Sequence, residues 1–420
     1  MTLWQRLKPF RARLFLLLAV IGPGIITANV DNDAGGITTY SVAGAQYGYS
    51  LLWMLMLTTV ALIIVQEMSA RLGVVTGQGL SSLIREQMGV RWTAVIIGIL
   101  LFANLANTVS EFAGVAASME IFGISKYISV PLVALGVWLL IVKGSYKPVE
   151  RVFLVASAIY LAYVASGFMA NPPWGEVLRA TVTPTFSFDP GYVALFITVI
   201  GTTIAPWMQF YQQSSIADKG LKAEELGYER VDTIVGSLLT DIVGAFIMIA
   251  CAATLFVHSQ PINTAADAAI ALRPLAGPYA ATLFALGLLN ASVFSAAILP
   301  LSTAYAACEA FGWESAVSRS WDEAPIFFGI YTAFIVLGAG IILLPIPSLI
   351  QAMLASQTLN GVLLPIILIV MLKLINDKRL MGNYVNGRIL NLLSWLTVLI
   401  LIALTILLVV TTAFPNLLGG

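Results

Sequence analysis

Two carboxylates and two glycines interrupt the first long apolar segment of this chain. Asp31 and Asp33 are followed by Gly35 and Gly36, and apolar helix-like sequence resumes directly afterwards. A carboxylate at bilayer depth costs roughly 2.5–3.5 kcal/mol or more, so its presence there indicates a function. Glycines tolerate positive φ, and a broken helix frees backbone carbonyls and amides that a cavity can use. This pattern predicts a binding site within the membrane, with helix capping as the alternative interpretation of Asp33.

A second break of the same kind lies in the other half of the chain. It comprises Thr202, Thr203, Ile204, Ala205 and Pro206, again within an apolar segment. Two interrupted helices at matching places in two halves are the best sequence indicator of the binding site of a secondary transporter.

Membrane-spanning helices must position these two breaks. Of the 420 residues, 59% are hydrophobic and 10% are charged, whereas ordinary soluble domains carry about 25% charged residues. Apolar runs of about 20 residues, long enough to cross the hydrocarbon core, recur along the chain. We predict eleven spans, at approximately 14–44 (broken), 51–72, 92–119, 127–143, 151–170, 191–217 (broken), 233–257, 278–308, 324–345, 347–373 and 390–414.

The distribution of basic residues predicts the topology. Of the 21 Lys and Arg residues, only Lys126, Arg179 and Arg273 fall in segments that a cytoplasmic N-terminus would place outside. Because cytoplasmic loops are the basic ones, we expect a cytoplasmic N-terminus and an external C-terminus. Short termini favour a bacterial inner (plasma) membrane. Cys251 and Cys308 both lie in apolar spans, which argues against a disulfide or a metal cluster.

The first ten spans divide into two halves of five. Because five is an odd number, the two halves enter the membrane in opposite senses. This is the inverted-repeat arrangement, with the site between the two broken helices. We predict a first repeat at 1–175 with broken helix 1, a second at 176–375 with broken helix 6, and an additional transmembrane helix 11 at 376–420.

Separated motifs in chain order carry a family resemblance. They are Gly22-Pro23-Gly24, Ala43-Gly44-Ala45-Gln46-Tyr47-Gly48-Tyr49, Ala70-Arg71-Leu72-Gly73-Val74-Val75-Thr76-Gly77, Ser356-Gln357 and Asp377-Lys378-Arg379-Leu380-Met381-Gly382. Together they resemble the NRAMP family of divalent-metal transporters. The resemblance implies an all-α LeuT-type membrane fold, a cation substrate and alternating access.

The departures from the family pattern lie at its metal ligands. The family's D-P-G-N reads Asp33-Ala34-Gly35-Gly36, so the metal-binding aspartate is kept and Gly36 replaces the asparagine ligand. In the sixth span the family's A-x-x-M-P-H has Thr202 for the small residue, Ala205 for the methionine ligand and Trp207 for the histidine.

These departures favour a hard cation. A thioether ligand selects softer metals such as Mn and Fe. Its loss leaves the Asp33 carboxylate, the backbone of Gly36 and Ala205, the Thr202 hydroxyl and the Gln357 amide. Mg²⁺ prefers oxygen and usually keeps several waters. The pattern is similar to the NRAMP-related magnesium transporters, so we predict a carrier of largely hydrated Mg²⁺, with Mn²⁺ as a second substrate.

Transport without proton coupling is the expected mechanism. Two charges crossing 100 mV gain about 4.6 kcal/mol, enough for accumulation on the order of 10³-fold. The family's sixth-span histidine is absent, and the chain's one histidine, His258, is expected at the surface.

Four further polar residues are predicted to line the pathway or support the ligands. Asp31 and Thr203 flank the breaks, and Glu111 and Asp241 are acids within the third and seventh spans. An intramembrane acid is a functional hypothesis by default. Met208 follows Ala205 by about one turn, and we interpret it as a packing residue.

Other functions remain open. A Mn²⁺ or other metal transporter of the same family is one alternative, and a sodium-coupled organic-solute symporter of the same fold is another, although Asp33 would repel a substrate carboxylate. The absence of a Ser/His/Asp set argues against an enzyme. We expect a monomer whose partners are the divalent cation substrate and the lipid bilayer, with no cofactor and no nucleic acid.

Overall fold

The chain folds into a bundle of long helices, as its apolar composition predicts. The computed structural model describes residues 27, 30–143, 157–315, 317 and 319–413, and this part of the chain contains no strand. Its principal helices are α1 (Ala34–Tyr47), α2 (Leu52–Thr76), α3 (Leu80–Glu120), α4 (Lys126–Val142), α5 (Leu161–Met169), α6 (Trp174–Val182), α7 (Pro190–Thr203), α8 (Pro206–Lys219), α9 (Leu226–Thr254), α10 (Ala280–Phe311), α11 (Pro325–Leu343), α12 (Leu349–Ile375) and α13 (Arg388–Ala413).

The predicted spans from the second to the eleventh each overlap a helix. Among the described residues, 8 helical stretches are long and apolar enough to cross a membrane, with α7 and α8 counted as one. Helix α4 and the segment Ser157–Met169 are shorter apolar helices. Residues 14–26 of the first predicted span, the Gly22-Pro23-Gly24 motif, and residues 151–156 of the fifth span lie outside the described residues.

Both predicted helix breaks are present. The backbone is helical at Asp31, not helical at Asn32 and Asp33, and helical again from the start of α1. The second break separates α7 from α8, with Ala205 extended at φ −75° and ψ 138° and Pro206 as the first residue of α8. Proline suits that position because its missing N–H would have no partner in the helix.

The two broken helices pack reciprocally onto the opposite halves. Helix α1 packs against α9, and α8 packs against α2, while α3 contacts both α10 and α12 in the centre. Exchange of this kind is expected of inverted repeats. Helices α7 and α12 approach closely, since a Cβ on Gly361 would lie 2.5 Å from the Ile197 carbonyl oxygen. The division of the chain near residues 175 and 375 stays a prediction.

Candidate metal site

Asp33 stands at the first break and caps the helix that follows it. Its Oδ1 accepts the Gly36 N–H at 2.6 Å, its carbonyl accepts the Ile37 N–H at 2.9 Å, and the residue is only 4% exposed. Asp33 Oδ2 lies 3.5 Å from Gln357 Nε2. The carboxylate is therefore fixed by the backbone on one side and faces α12 on the other.

Oxygen atoms from both breaks surround one point beside Gly36. A Cβ on Gly36 would lie 2.7 Å from the Asp31 carbonyl oxygen, 3.3 Å from Asp33 Oδ1 and 3.4 Å from Thr202 Oγ1. Thr202 Oγ1 is buried with no hydrogen-bond partner. The structure thus brings a backbone carbonyl, a carboxylate and a hydroxyl together, which is a donor set suited to a hard cation.

The positive φ expected of Gly35 and Gly36 is wrong, while a backbone ligand at Gly36 stays a prediction. Neither has positive φ, because both lie inside the first turn of α1. Glycine is required there for close approach: a Cβ on Gly35 would overlap the Gln357 side chain, and one on Gly36 would meet the three oxygen atoms.

Gln357 is held by a polar network that crosses from α12 to α3. Asn360 Nδ2 donates to Gln357 Oε1 at 2.9 Å, and the Asn107 and Asn360 side-chain amides bond each other at 2.9 and 3.1 Å. Because Gln357 Oε1 is engaged, its nitrogen faces Asp33. Gln357 therefore orients the Asp33 carboxylate here, and its role as a metal ligand stays a prediction.

Glu111 meets the same helix terminus from α3. Its Oε2 accepts the Ala34 N–H at 3.3 Å, its side chain interacts with the Asp33 carboxyl group, and it is fully buried. The first amides of a helix carry partial positive charge that favours anions. Two carboxylates, Asp33 and Glu111, therefore meet at the start of α1.

The two threonines of the second break face different partners. Thr203 Oγ1 bonds to the Val199 carbonyl at 2.8 Å and to Tyr40 Oη at 2.8 Å. It therefore links the two broken helices through α1. Thr202, by contrast, points its hydroxyl toward the oxygens beside Gly36.

The residues that replace the family's methionine and histidine fill space. Ala205 is 3% exposed, and its carbonyl accepts the Met208 N–H at 3.1 Å. Trp207 is buried, with its ring centroid 6.2 Å from that of Tyr211. Met208 lines a narrow cleft with polar residues of α2 and α9. Among the described residues, no group of three or more His, Cys, Asp and Glu side chains could hold a metal, so the candidate site depends on mixed oxygen donors.

Asp31 and Asp241 lie together on the α9 side of the first break. Thr240 Oγ1 lies 3.4 Å from Asp31 Oδ2 and accepts from Asn32 Nδ2 at 2.7 Å. The Asp241 carboxylate is among the charges that act most strongly on Asp31. His258 is exposed near the end of α9, with Nδ1 2.7 Å from the Thr254 carbonyl.

Sequence reasoning missed several residues that hold the site together. They are Asn32, Tyr40, Asn107, Thr240 and Asn360, all buried and hydrogen-bonded near the breaks. Their only sequence signal is a polar side chain in an apolar span, which many residues of this chain share.

The fold and the two breaks define the class of protein: a membrane transporter with the LeuT-type fold. The chain belongs to the Nramp family, because the family model described as "Natural resistance-associated macrophage protein-like" matches residues 24–411. Members of this family are transporters, not enzymes.

Similar proteins have been named for metal transport. The chain is 24% identical over 416 residues to the divalent metal cation transporter MntH of Bacillus subtilis, covering 94% of this chain and 93% of that relative. It is 28% identical over 423 residues to the protein of the same name from Levilactobacillus brevis, covering 94% and 90%.

Solved structures support the fold. The Eremococcus coleocola manganese transporter matches with a TM-score of 0.76 at 22% identity, covering 95% of this chain and 88% of that one. The nucleobase-cation-symport-1 transporter MHP1 matches with a TM-score of 0.59 at 16% identity, covering 94% and 91%.

Proposed function

We propose that this protein carries Mg²⁺, largely hydrated, across the membrane by alternating access, with the ion bound between the two helix breaks. The observation that carries the proposal is the group of oxygens beside Gly36: the Asp31 carbonyl, Asp33 Oδ1 and Thr202 Oγ1. The relatives named as divalent metal cation transporters support a divalent cargo.

The donor types favour Mg²⁺ over softer metals. Carboxylate, carbonyl and hydroxyl oxygens suit Mg²⁺, whereas a thioether would favour transition metals. Ala205 supplies no sulfur, and Gly36 supplies no side chain that would fill the space between the oxygens.

The cavities support an access route from the end of the bundle where α12 begins. A cavity of about 590 Å³ lies there, lined by residues that include Glu120 of α3 and Gln351 of α12. Gln351 precedes Gln357 by about 9 Å along the helix, at 1.5 Å per residue. The cleft lined by Gln66 and Gln212, between α2, α8 and α9, has walls too close for a water molecule. With the predicted N-terminus inside, the start of α12 and this cavity would lie on the external side.

Transport is proposed to be driven by voltage without proton coupling. A divalent cation gains about 4.6 kcal/mol from 100 mV, which is enough for uptake without a second ion. The chain's one histidine, His258, lies at the end of α9 and away from both breaks. Asp33 and Glu111 are the acids beside the first break that could carry a proton, so the uptake assay must also follow the lumenal pH.

The test is Mg²⁺ uptake into proteoliposomes at an inside-negative potential, with a Mg²⁺ indicator and a pH indicator in the lumen. Asp33→Asn should abolish uptake. Asp189→Asn is the matched control, because Asp189 also caps a helix, through Oδ2 and the Tyr192 N–H at 2.9 Å, but is exposed and away from the breaks.

The result has three readings. Voltage-dependent Mg²⁺ uptake without lumenal acidification, lost only in the Asp33 variant, supports the proposal in full. Acidification that tracks Mg²⁺ entry contradicts the uncoupled mechanism. A preparation that moves Mn²⁺ and not Mg²⁺ refutes the choice of ion and establishes the second candidate, a manganese carrier, which the names of the structural neighbours favour.

A further inference from the structure

A second group of buried oxygens lies beside the first break and is separate from the group at Gly36. It comprises Asp31 and Asn32 of the break and Thr240 and Asp241 of α9, with exposed fractions of 3%, 3%, 3% and 4%. Thr240 joins the group, since its Oγ1 accepts from Asn32 Nδ2 at 2.7 Å and lies 3.4 Å from Asp31 Oδ2.

Several oxygens of this group have no hydrogen-bond donor. They are Asp31 Oδ1, Asn32 Oδ1 and both carboxylate oxygens of Asp241. The Thr59 hydroxyl on α2 is the neighbouring donor that acts on Asp241, and it also donates to the Leu55 carbonyl at 2.8 Å. Buried acceptors are normally paired with a donor. Here carboxylate oxygens and an amide oxygen lie close together without one, which indicates that a positively charged partner binds between them.

The charges acting on this group have one sign. Asp241 and Asp33 are the charged side chains that act most strongly on Asp31. Two carboxylates held close in a low-dielectric interior repel each other, and a single divalent cation between them would balance both charges. A monovalent cation would leave one negative charge buried.

We propose that the carboxylates of Asp31 and Asp241, with Asn32 Oδ1, form a second binding site for the divalent cation, and that Thr240 positions the three side chains. The inference rests on the proposed function and adds a second binding site for the same divalent cation. Asp31 connects the two sites, because its carbonyl faces the point beside Gly36 and its side chain faces Thr240.

The second site lies at the start of a polar route along α9. Thr240 also lines the narrow cleft, together with Ser237 and Thr233 of α9 and with Gln212 of α8, whose Nε2 donates to Thr233 Oγ1 at 2.9 Å. Threonine and serine at these spacings share one helix face. An ion leaving the first site for the closed end of the bundle would therefore reach Asp31 and Asp241 next.

Equilibrium dialysis of the purified full chain against radioactive Mn²⁺, with Mg²⁺ and Na⁺ as competitors, tests the second site. Mn²⁺ serves as the probe because it also accepts oxygen ligands. We expect two ions per wild-type chain, both displaced by Mg²⁺ and neither by Na⁺ at equal concentration. Asp241→Asn should bind one ion and keep the affinity of the first site. Glu309→Gln is the matched control, because Glu309 also has an unpartnered Oε2 but packs against Gly79 in a separate region, and it should bind two.

The outcomes separate this inference from the proposed function. One ion per wild-type chain, lost in Asp33→Asn and unaffected by Asp241→Asn, overturns the second site and leaves the Mg²⁺ carrier intact. A second ion displaced by Na⁺ alone overturns the choice of a divalent cation. Binding of no ion contradicts both proposals. The wild-type stoichiometry decides the question even if the Asp241 variant does not fold.

Discussion

A methyl group added to Gly36 should block the proposed Mg²⁺ site from within. In Gly36→Ala the new Cβ would lie 2.7 Å from the Asp31 carbonyl oxygen, 3.3 Å from Asp33 Oδ1 and 3.4 Å from Thr202 Oγ1. It would occupy the point on which the three oxygens converge. We expect Mg²⁺ uptake to fall at least tenfold, which corresponds to about 1.4 kcal/mol of lost binding.

The effect on stability has a predictable sign. Glycine inside a helix costs about 0.5–1 kcal/mol relative to alanine, so alanine is normally favoured there. At Gly36 that gain is opposed by a contact with backbone, which cannot rotate away, and overpacking of this kind costs about 1–3 kcal/mol. Gly329→Ala is the matched control, since Gly329 lies inside α11 and its Cβ would meet nothing within 4 Å.

Uptake into proteoliposomes and thermal unfolding in detergent would be measured for both variants. The control should transport like the wild type and unfold at an equal or higher temperature, whereas Gly36→Ala should lose transport and gain no stability. Wild-type Mg²⁺ uptake by Gly36→Ala would refute the assignment of the three oxygens as the binding point.

Two further variants test ion selectivity and the closed end of the bundle. Ala205→Met places a thioether at the second break and should raise the ratio of Mn²⁺ to Mg²⁺ uptake about tenfold, or about 1.4 kcal/mol. Ala205→Leu, which is of similar size but has no sulfur, should leave this ratio unchanged. Equal ratios in the two variants would contradict the prediction. Arg71→Met removes bonds to the Tyr384 carbonyl at 2.6 Å, to Asn386 Oδ1 at 2.5 Å and to Glu67 at 3.0 Å. It should lower the free energy of unfolding by about 1–3 kcal/mol, because the partly buried partners of the buried Arg71 lose their charged donor. The exposed Arg379→Met should change the free energy of unfolding little. Chemical denaturation of Arg71→Met that matches the wild type would contradict the stabilising role of these bonds.

The helices and breaks could be predicted from the sequence because they depend on local composition. Apolar length fixes the spans, and glycine, proline and aspartate mark the breaks, so the structure has Asn32 and Asp33 unwound and α8 beginning at Pro206. The resemblance placed Asp33 and Thr202 in one site, and the structure brings their oxygens to the same point beside Gly36.

The contacts across the bundle could not be predicted, because they depend on which helix faces meet. Asn107 and Asn360 are 253 positions apart and bond each other, and nothing local distinguishes either from the other polar residues in apolar spans. The same limit applies to Gly35, whose lack of a side chain is explained by Gln357 of a distant helix and not by its own φ.

The two interpretations of Asp33, helix cap and cation ligand, depend on each other. The N-terminus of a helix carries roughly half a positive charge, which would repel a cation bound there. Asp33 Oδ1 accepts the Gly36 N–H, and Glu111 Oε2 accepts the Ala34 N–H, so two carboxylates offset that charge at the start of α1. The other broken helix contributes the opposite sign, because α7 ends at Thr203 and a helix C-terminus carries partial negative charge. A cation bound between the breaks, as proposed, would therefore be attracted by the end of α7 and by Asp33, and it would no longer be repelled by α1. Removing the Asp33 carboxylate would reverse that balance as well as delete a ligand, which is why we expect its loss to abolish uptake and not merely weaken it.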